Sequence, residues 1–202
     1  MKNPFTILLA CLLLSGVSTR AQSVRLGLKA GANYSGLTSV VSPYDADRLA
    51  RKAGLLVGAT ASFAINQRFS VQPELLFSMQ GAQAASNGDF KYNLNYLSLP
   101  VVGRLKVGGL FLEGGPRLGF LLSAHNQHGT YSRNIRPGMK KLDLGYAAGL
   151  GYMLSDNLEV GFRYQGGVSR IFNYYISEDA ALADPIPRNS TLQVHVGYHF
   201  GS

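Results

Sequence analysis

Alternation of period two governs this chain from Val24 onward. Eight segments show it: Val24 to Tyr34, Ala53 to Ile65, Phe69 to Gly81, Tyr92 to Lys106, Leu110 to Leu122, Lys141 to Met153, Leu158 to Ser169 and Ser190 to Phe200. In the seventh, Leu158, Val160, Phe162, Tyr164 and Val168 alternate with Glu159, Arg163, Gln165 and Ser169. Successive side chains of an extended strand point to opposite faces, so each segment reads as a strand with one apolar and one polar or small-residue face. No stretch carries a competing helical period, and the class this predicts is all-β. The fourth segment is the least regular, because Leu94 and Val102 fall on its polar side.

The links carry a second pattern. Asn66-Gln67-Arg68, Val107-Gly108-Gly109 and Leu154-Ser155-Asp156-Asn157 are tight, whereas Ser35 to Lys52, Ala82 to Lys91, Ser123 to Lys140 and Phe172 to Asn189 are long and polar. Short and long links alternate, which puts every short turn and both termini at one end of an antiparallel array. Most segments run to about 11 to 13 residues, which exceeds the roughly 5 to 6 usual in soluble sheets and suits the roughly 9 to 11 that cross a bilayer at a tilt. Together these features predict an eight-stranded antiparallel up-and-down transmembrane β-barrel with short periplasmic turns and long extracellular loops.

The N-terminal residues have a different character. Lys2 precedes an apolar run from Phe5 to Leu14, followed by Ser15, Gly16 and the small residue Ala21. The run is too short for a spanning helix and has the pattern of an export signal, so residues 1–21 are expected to be cleaved and residues 22–202 to form the barrel. Cys11, the single cysteine, reads as an apolar member of that signal and not as a lipid attachment site, since Leu9 is bulky where a lipoprotein box has a small residue. The exported chain then holds no thiol for a disulfide or a thiolate metal site.

Alternation alone does not say which face meets lipid. A soluble periplasmic lipocalin-like binding barrel would turn the apolar face inward. Glycine supplies 24 of 202 residues, and Gly27, Gly31, Gly58, Gly145, Gly149, Gly151, Gly161 and Gly167 share the polar face with a few ionisable residues. Such a face suits a narrow, crowded lumen better than a watery exterior. Tyr34, Phe63, Phe69, Tyr152, Phe162, Tyr198 and Phe200 fall toward segment ends on the apolar face, as interfacial girdles do. The excess of nineteen Lys and Arg over eleven Asp and Glu is scattered as isolated charges, unlike a nucleic-acid surface.

Several stretches resemble, in order and spacing, the PorT-like family of small outer-membrane β-barrel proteins. They are GLKAGANYS (Gly27 to Ser35), QPELLFSMQGA (Gln72 to Ala82), YLSLP (Tyr96 to Pro100), FLEGGPRLGFLL (Phe111 to Leu122), LDLGYAAGLGYML (Leu142 to Leu154), LEVGFRYQGGVSRI (Leu158 to Ile171) and VGYHF (Val196 to Phe200). Ser98 stands where the family commonly has an acidic residue, and Gly201-Ser202 follow the last aromatic. The resemblance implies a barrel and, from the family's namesake, an accessory role in protein secretion.

Eight strands enclose a bore that side chains just fill, so free diffusion through it is not expected. Arg25, Lys29, Glu74, Arg104, Glu113, Arg117, Asp143, Glu159 and Arg163 fall on the inward face. Charges there must pair or stay hydrated, and they read as a structural salt-bridge plug in preference to a proton or substrate path. Depth counted from segment ends sets Lys29, Glu74, Arg117 and Arg163 at one level, with Glu113 or Asp143 joining from either end.

His125 and His128 lie in the third long link, His195 and His199 on the inward face of the last segment. Neither pair has a carboxylate at ligand spacing, so no metal or other cofactor is expected. An outer-membrane lipid hydrolase would need a nucleophile, a base and an acid together. Ser169, His195 and Glu159 are the candidates, but Glu159 and Ser169 are ten residues apart on one strand, about 30 Å at ~3.3 Å per residue. No catalytic residue is assigned. The expected role is structural, adhesive or secretion-accessory and is carried by the extracellular loops, of which the third is basic through Arg133, Arg136 and Lys140. Expected partners are outer-membrane lipids and lipopolysaccharide, the outer-membrane insertion machinery and an unidentified protein, with no nucleic acid.

Overall fold

The computed structural model describes residues 24–38, 49–84, 90–171 and 188–201. The expected export signal and the greater part of the first and fourth long links lie outside the described residues. Nine strands occur among the described residues: β1 (Val24–Thr38), β2 (Leu49–Ala64), β3 (Phe69–Ala84), β4 (Phe90–Val107), β5 (Leu110–His128), β6 (Tyr131–Asn134), β7 (Leu142–Met153), β8 (Leu158–Gly167) and β9 (Arg188–His199). Each long strand pairs antiparallel with the next, β5 reaching β7 past the short β6. β1 pairs with β9, so the eight long strands close on themselves as the alternation predicts.

Local turn chemistry explains the tight end. The Asn66 side-chain oxygen accepts from the backbone N–H groups of Arg68 (2.9 Å) and Phe69 (2.8 Å), folding the β2–β3 turn around one polar side chain. Ser155 does the same for Leu158 at 3.1 Å between β7 and β8. Between β4 and β5, Gly108 takes a φ of 63°, a conformation that costs a residue without Cβ little.

At the opposite end the strands outrun the alternating segments. β1 continues to Thr38, β3 to Ala84 and β5 to His128, where the chain doubles back through β6 and a 3-10 turn at Arg136–Gly138. The Ser123 to Lys140 link, expected as an open polar loop, is therefore largely an ordered hairpin. Beyond the bilayer a strand still needs its backbone partners but no longer needs an apolar face, so pairing persists after the periodicity has faded.

The apolar face is outside. Leu26, Leu55, Val57, Leu112, Leu144 and Val194 are exposed, Leu55 at 65%, while Lys29, Glu74, Arg104 and Arg163 are buried within the bore. This is the reverse of a lipocalin-like barrel. The inward face is not purely polar, however: Leu56, Leu76, Leu94, Val102, Phe111 and Leu121 are all buried there. Leu94 and Val102 thus obey the strict alternation of β4 and only their chemistry is irregular.

A closed barrel with this exterior should be extracted only by detergent. On gels with dodecyl sulfate, unheated samples should migrate differently from boiled ones, and loss of that difference in a β9 truncation would check that closure by β1 and β9 is required.

Candidate functional site: the barrel lumen

Seven inward side chains form one continuous chain across the bore. The Lys29 ammonium lies 2.6 Å from Glu74, and Glu74 accepts from the Arg163 guanidinium at 2.6 and 2.9 Å. Arg163 Nε reaches Glu113 at 2.6 Å; Glu113 lies 3.2 Å from Arg104, and Arg104 lies 2.8 Å from Glu159. Glu159 ends the series against His199 Nε2 at 2.9 Å. Gln72 joins two links of the chain, donating to Glu74 and accepting from Arg104, each at 2.9 Å. Three full cations thus face three carboxylates, drawn from β1, β3, β4, β5 and β8, and ion pairing can satisfy them where water is scarce.

Small residues make this crowding feasible. The rings of Phe111 and His195 lie where side chains at Gly151 and Gly161 would start, and a Cβ at Gly161 would sit 2.5 Å from His195 Nε2. Gly149 leaves room for the stem of Arg163 in the same way. The Arg104 guanidinium then stacks over the Phe111 ring, 3.9 Å from its centroid.

Arg117 does not belong to the Lys29–Glu74–Arg163 group, contrary to its expected depth. It pairs with Asp143, which also accepts from Asn189 (2.9 Å) and the Ser169 hydroxyl (2.8 Å). Asn189 donates in turn to the Tyr96 hydroxyl at 3.1 Å. Counting residues from strand ends ignores the stagger between strands of a tilted sheet, which sets Glu113, and not Arg117 four residues further along β5, at the level of Arg163. Of the two carboxylates expected to join the central group, Glu113 does so and Asp143 does not. Amides and hydroxyls of Asn33, Ser78, Gln80, Gln165 and Gln193 form further buried hydrogen bonds in the bore.

Apolar side chains pack together toward the extracellular end of the bore. Leu94, Tyr96, Leu121, Ala124, Met139 and Ile171 form a buried cluster, with Leu37 and Ile135 against it. The 3-10 turn carries Met139 into this cluster, held by backbone bonds from Ile135 to Ala124 (3.0 Å) and from Lys140 to Ile171 (2.8 Å).

The remaining candidates are dispersed. Glu159 lies beside both inward histidines, 2.9 Å from His199 and 4.0 Å from His195, a proximity that spacing along the chain did not reveal because Glu159 is on the neighbouring strand. No group of three or more potential metal ligands occurs among the described residues. His125 and His128 lie at the outer end of β5, opposite Asn134 and Tyr131. Ser169 gives its proton to Asp143, far from Glu159, so the hydrolase candidates are not brought together. Arg25 is at the periplasmic rim and donates to the Asp156 carbonyl at 2.6 Å. Phe111 and Leu121, unremarked as lumen residues in the sequence, share the parity of Glu113 and Arg117, and that parity is the signal that could have found them.

An antiparallel barrel with a lipid-facing apolar exterior and a filled polar interior is the architecture of a small outer-membrane protein. Residues 20–173 match the family described as outer membrane protein beta-barrel domain, and the chain belongs to it. It is an integral outer-membrane barrel. Among solved structures, Neisserial surface protein A (NspA) is 14% identical with a TM-score of 0.57, the match covering 87% of this chain and 97% of that one. Ail, the attachment invasion locus protein of Yersinia pestis, is 15% identical with a TM-score of 0.52, over 87% of this chain and 98% of the other. At such identities the likeness is one of fold. No curated protein shows a significant match.

Glu74→Ala strands Lys29 and part of Arg163, and should destabilise the folded barrel by about 3 to 5 kcal/mol. Arg133→Ala, on the exposed β6, should change stability by less than about 0.5 kcal/mol. Urea unfolding in detergent measures both. In double-mutant cycles, Lys29→Ala with Arg163→Ala should deviate from additivity, whereas Lys29→Ala with Arg117→Ala should add, because the second pair belongs to separate groups.

Proposed function

We propose that this protein is a non-catalytic outer-membrane barrel whose lumen is a structural plug and whose extracellular face carries a structural, adhesive or secretion-accessory role. The observation that carries this reading is the charge-balanced chain from Lys29 to Glu159 across the bore, with the Met139 cluster above it. A bore occupied in this way supplies no open path for solutes. The secretion-accessory version rests on the resemblance to the PorT-like family, and export with cleavage after Ala21 belongs to the same reading. The β5–β6 hairpin carries Arg133 on its exposed second strand, and lipopolysaccharide or a protein is the partner that its charge would meet.

A hydrolase is the less favoured reading, since the Ser169 hydroxyl is engaged by Asp143, which is itself paired with Arg117. Reconstituted into planar bilayers, the protein should give no stable conductance steps, and in detergent it should leave lipid A and phospholipids intact. Steady single-channel currents abolished by refilling the lumen, or lipid turnover lost on Ser169→Ala, would overturn the proposal.

A further inference from the structure

The periplasmic mouth differs from the rest of the bore because a recess remains open there. It has a volume of about 220 Å³ and is lined by Arg25, Arg68, Arg104, Lys106, Ser70 and His199 together with neutral neighbours, and no carboxylate is among the lining residues. Deeper in the lumen three cations are matched by three carboxylates; here the balance fails. Arg104 is already paired with Glu113 and Glu159, but Arg25, Arg68 and Lys106 form no ion pair among the described residues. Arg25 is held in place by the carbonyls of Asp156 and Gly201, which fix its position without neutralising its charge.

Two buried groups at this recess also lack partners. Ser70 is 7% exposed and its hydroxyl makes no hydrogen bond, and His199, 4% exposed, leaves Nδ1 unpaired while Nε2 faces Glu159. Buried polar atoms are seldom left unsatisfied, and the three cations Arg25, Arg68 and Lys106 line one recess without a carboxylate to offset their mutual repulsion. The backbone N–H of Lys106 donates to the Arg68 carbonyl at 2.8 Å, which sets these two cationic residues side by side at the recess.

We propose that the recess is a binding site for a small dianionic oxyanion, inorganic phosphate or a short dicarboxylate, taken from the periplasm. Arg68, Lys106 and Arg25 supply the charge, and Ser70 supplies a neutral hydrogen bond at the floor. Guanidinium and ammonium donors suit both oxyanions, and the fixed position of Arg25 reduces the ordering cost of binding.

The test uses the full barrel refolded in detergent, titrated calorimetrically with inorganic phosphate and, separately, succinate, against sodium chloride at equal ionic strength. At least one of the two should bind saturably with a Kd of about 1 mM or tighter. Arg68→Gln with Lys106→Gln should weaken binding by roughly tenfold or more, and Ser70→Ala by a smaller factor at unchanged charge. Lys140→Gln, at the opposite end of the barrel, should leave it unchanged. Heat-modifiable migration identifies folded variants, and Ser70→Ala, which alters no charge, serves if the double variant does not fold. Absence of saturable binding beyond the chloride control, or equal weakening by Lys140→Gln, overturns the proposal.

Discussion

Antiparallel pairing of β1 with β9, from Gly27 opposite His199 to Thr38 opposite Arg188, converts a run of hairpins into a closed wall. In hydrocarbon there is no water to satisfy a free strand edge, and each unpaired backbone group there costs several kcal/mol. Closure removes both edges at once. It also fixes the bore, because eight strands at the usual tilt leave an interior only as wide as side chains can fill. What stands inside is therefore governed by what lies in phase with the wall.

That narrow interior explains the otherwise costly choice of residues. Buried ion pairs add little net stability over an apolar filling, yet a broken pair is expensive. The chain from Lys29 to Glu159 is best understood as a register lock. A one-residue slip of any contributing strand would turn its charged side chains to lipid and its leucines into the bore. The inward glycines serve the same end, since the rings of Phe111 and His195 occupy the space that side chains at Gly151 and Gly161 would claim.

The two ends of the barrel are finished differently. Toward the extracellular side the inward lining is apolar among the described residues, with Met139 packed among Leu94, Leu121 and Ile171. On the periplasmic side the lining is hydrophilic and cationic around an open recess.

Strand number, face polarity and the alternation of short and long links were legible in the sequence because each is a local property, set by side-chain parity and turn chemistry. So was the inward position of Lys29, Glu74, Arg104, Glu113, Arg117, Asp143 and Arg163. Which of them touch was not legible. Arg117 turns to Asp143 and Arg163 to Glu74 and Glu113 because partners across a barrel are chosen by the stagger and tilt of the closed sheet, and no residue count along one strand contains that quantity. The same holds for Glu159 beside His199, which meet through pairing of β8 with β9, and for Met139, whose burial depends on a hairpin folding back over the mouth. Parity along the chain determined which way each side chain faces; only closure of the sheet decided its neighbours, since depth in a barrel is a joint property of all eight strands.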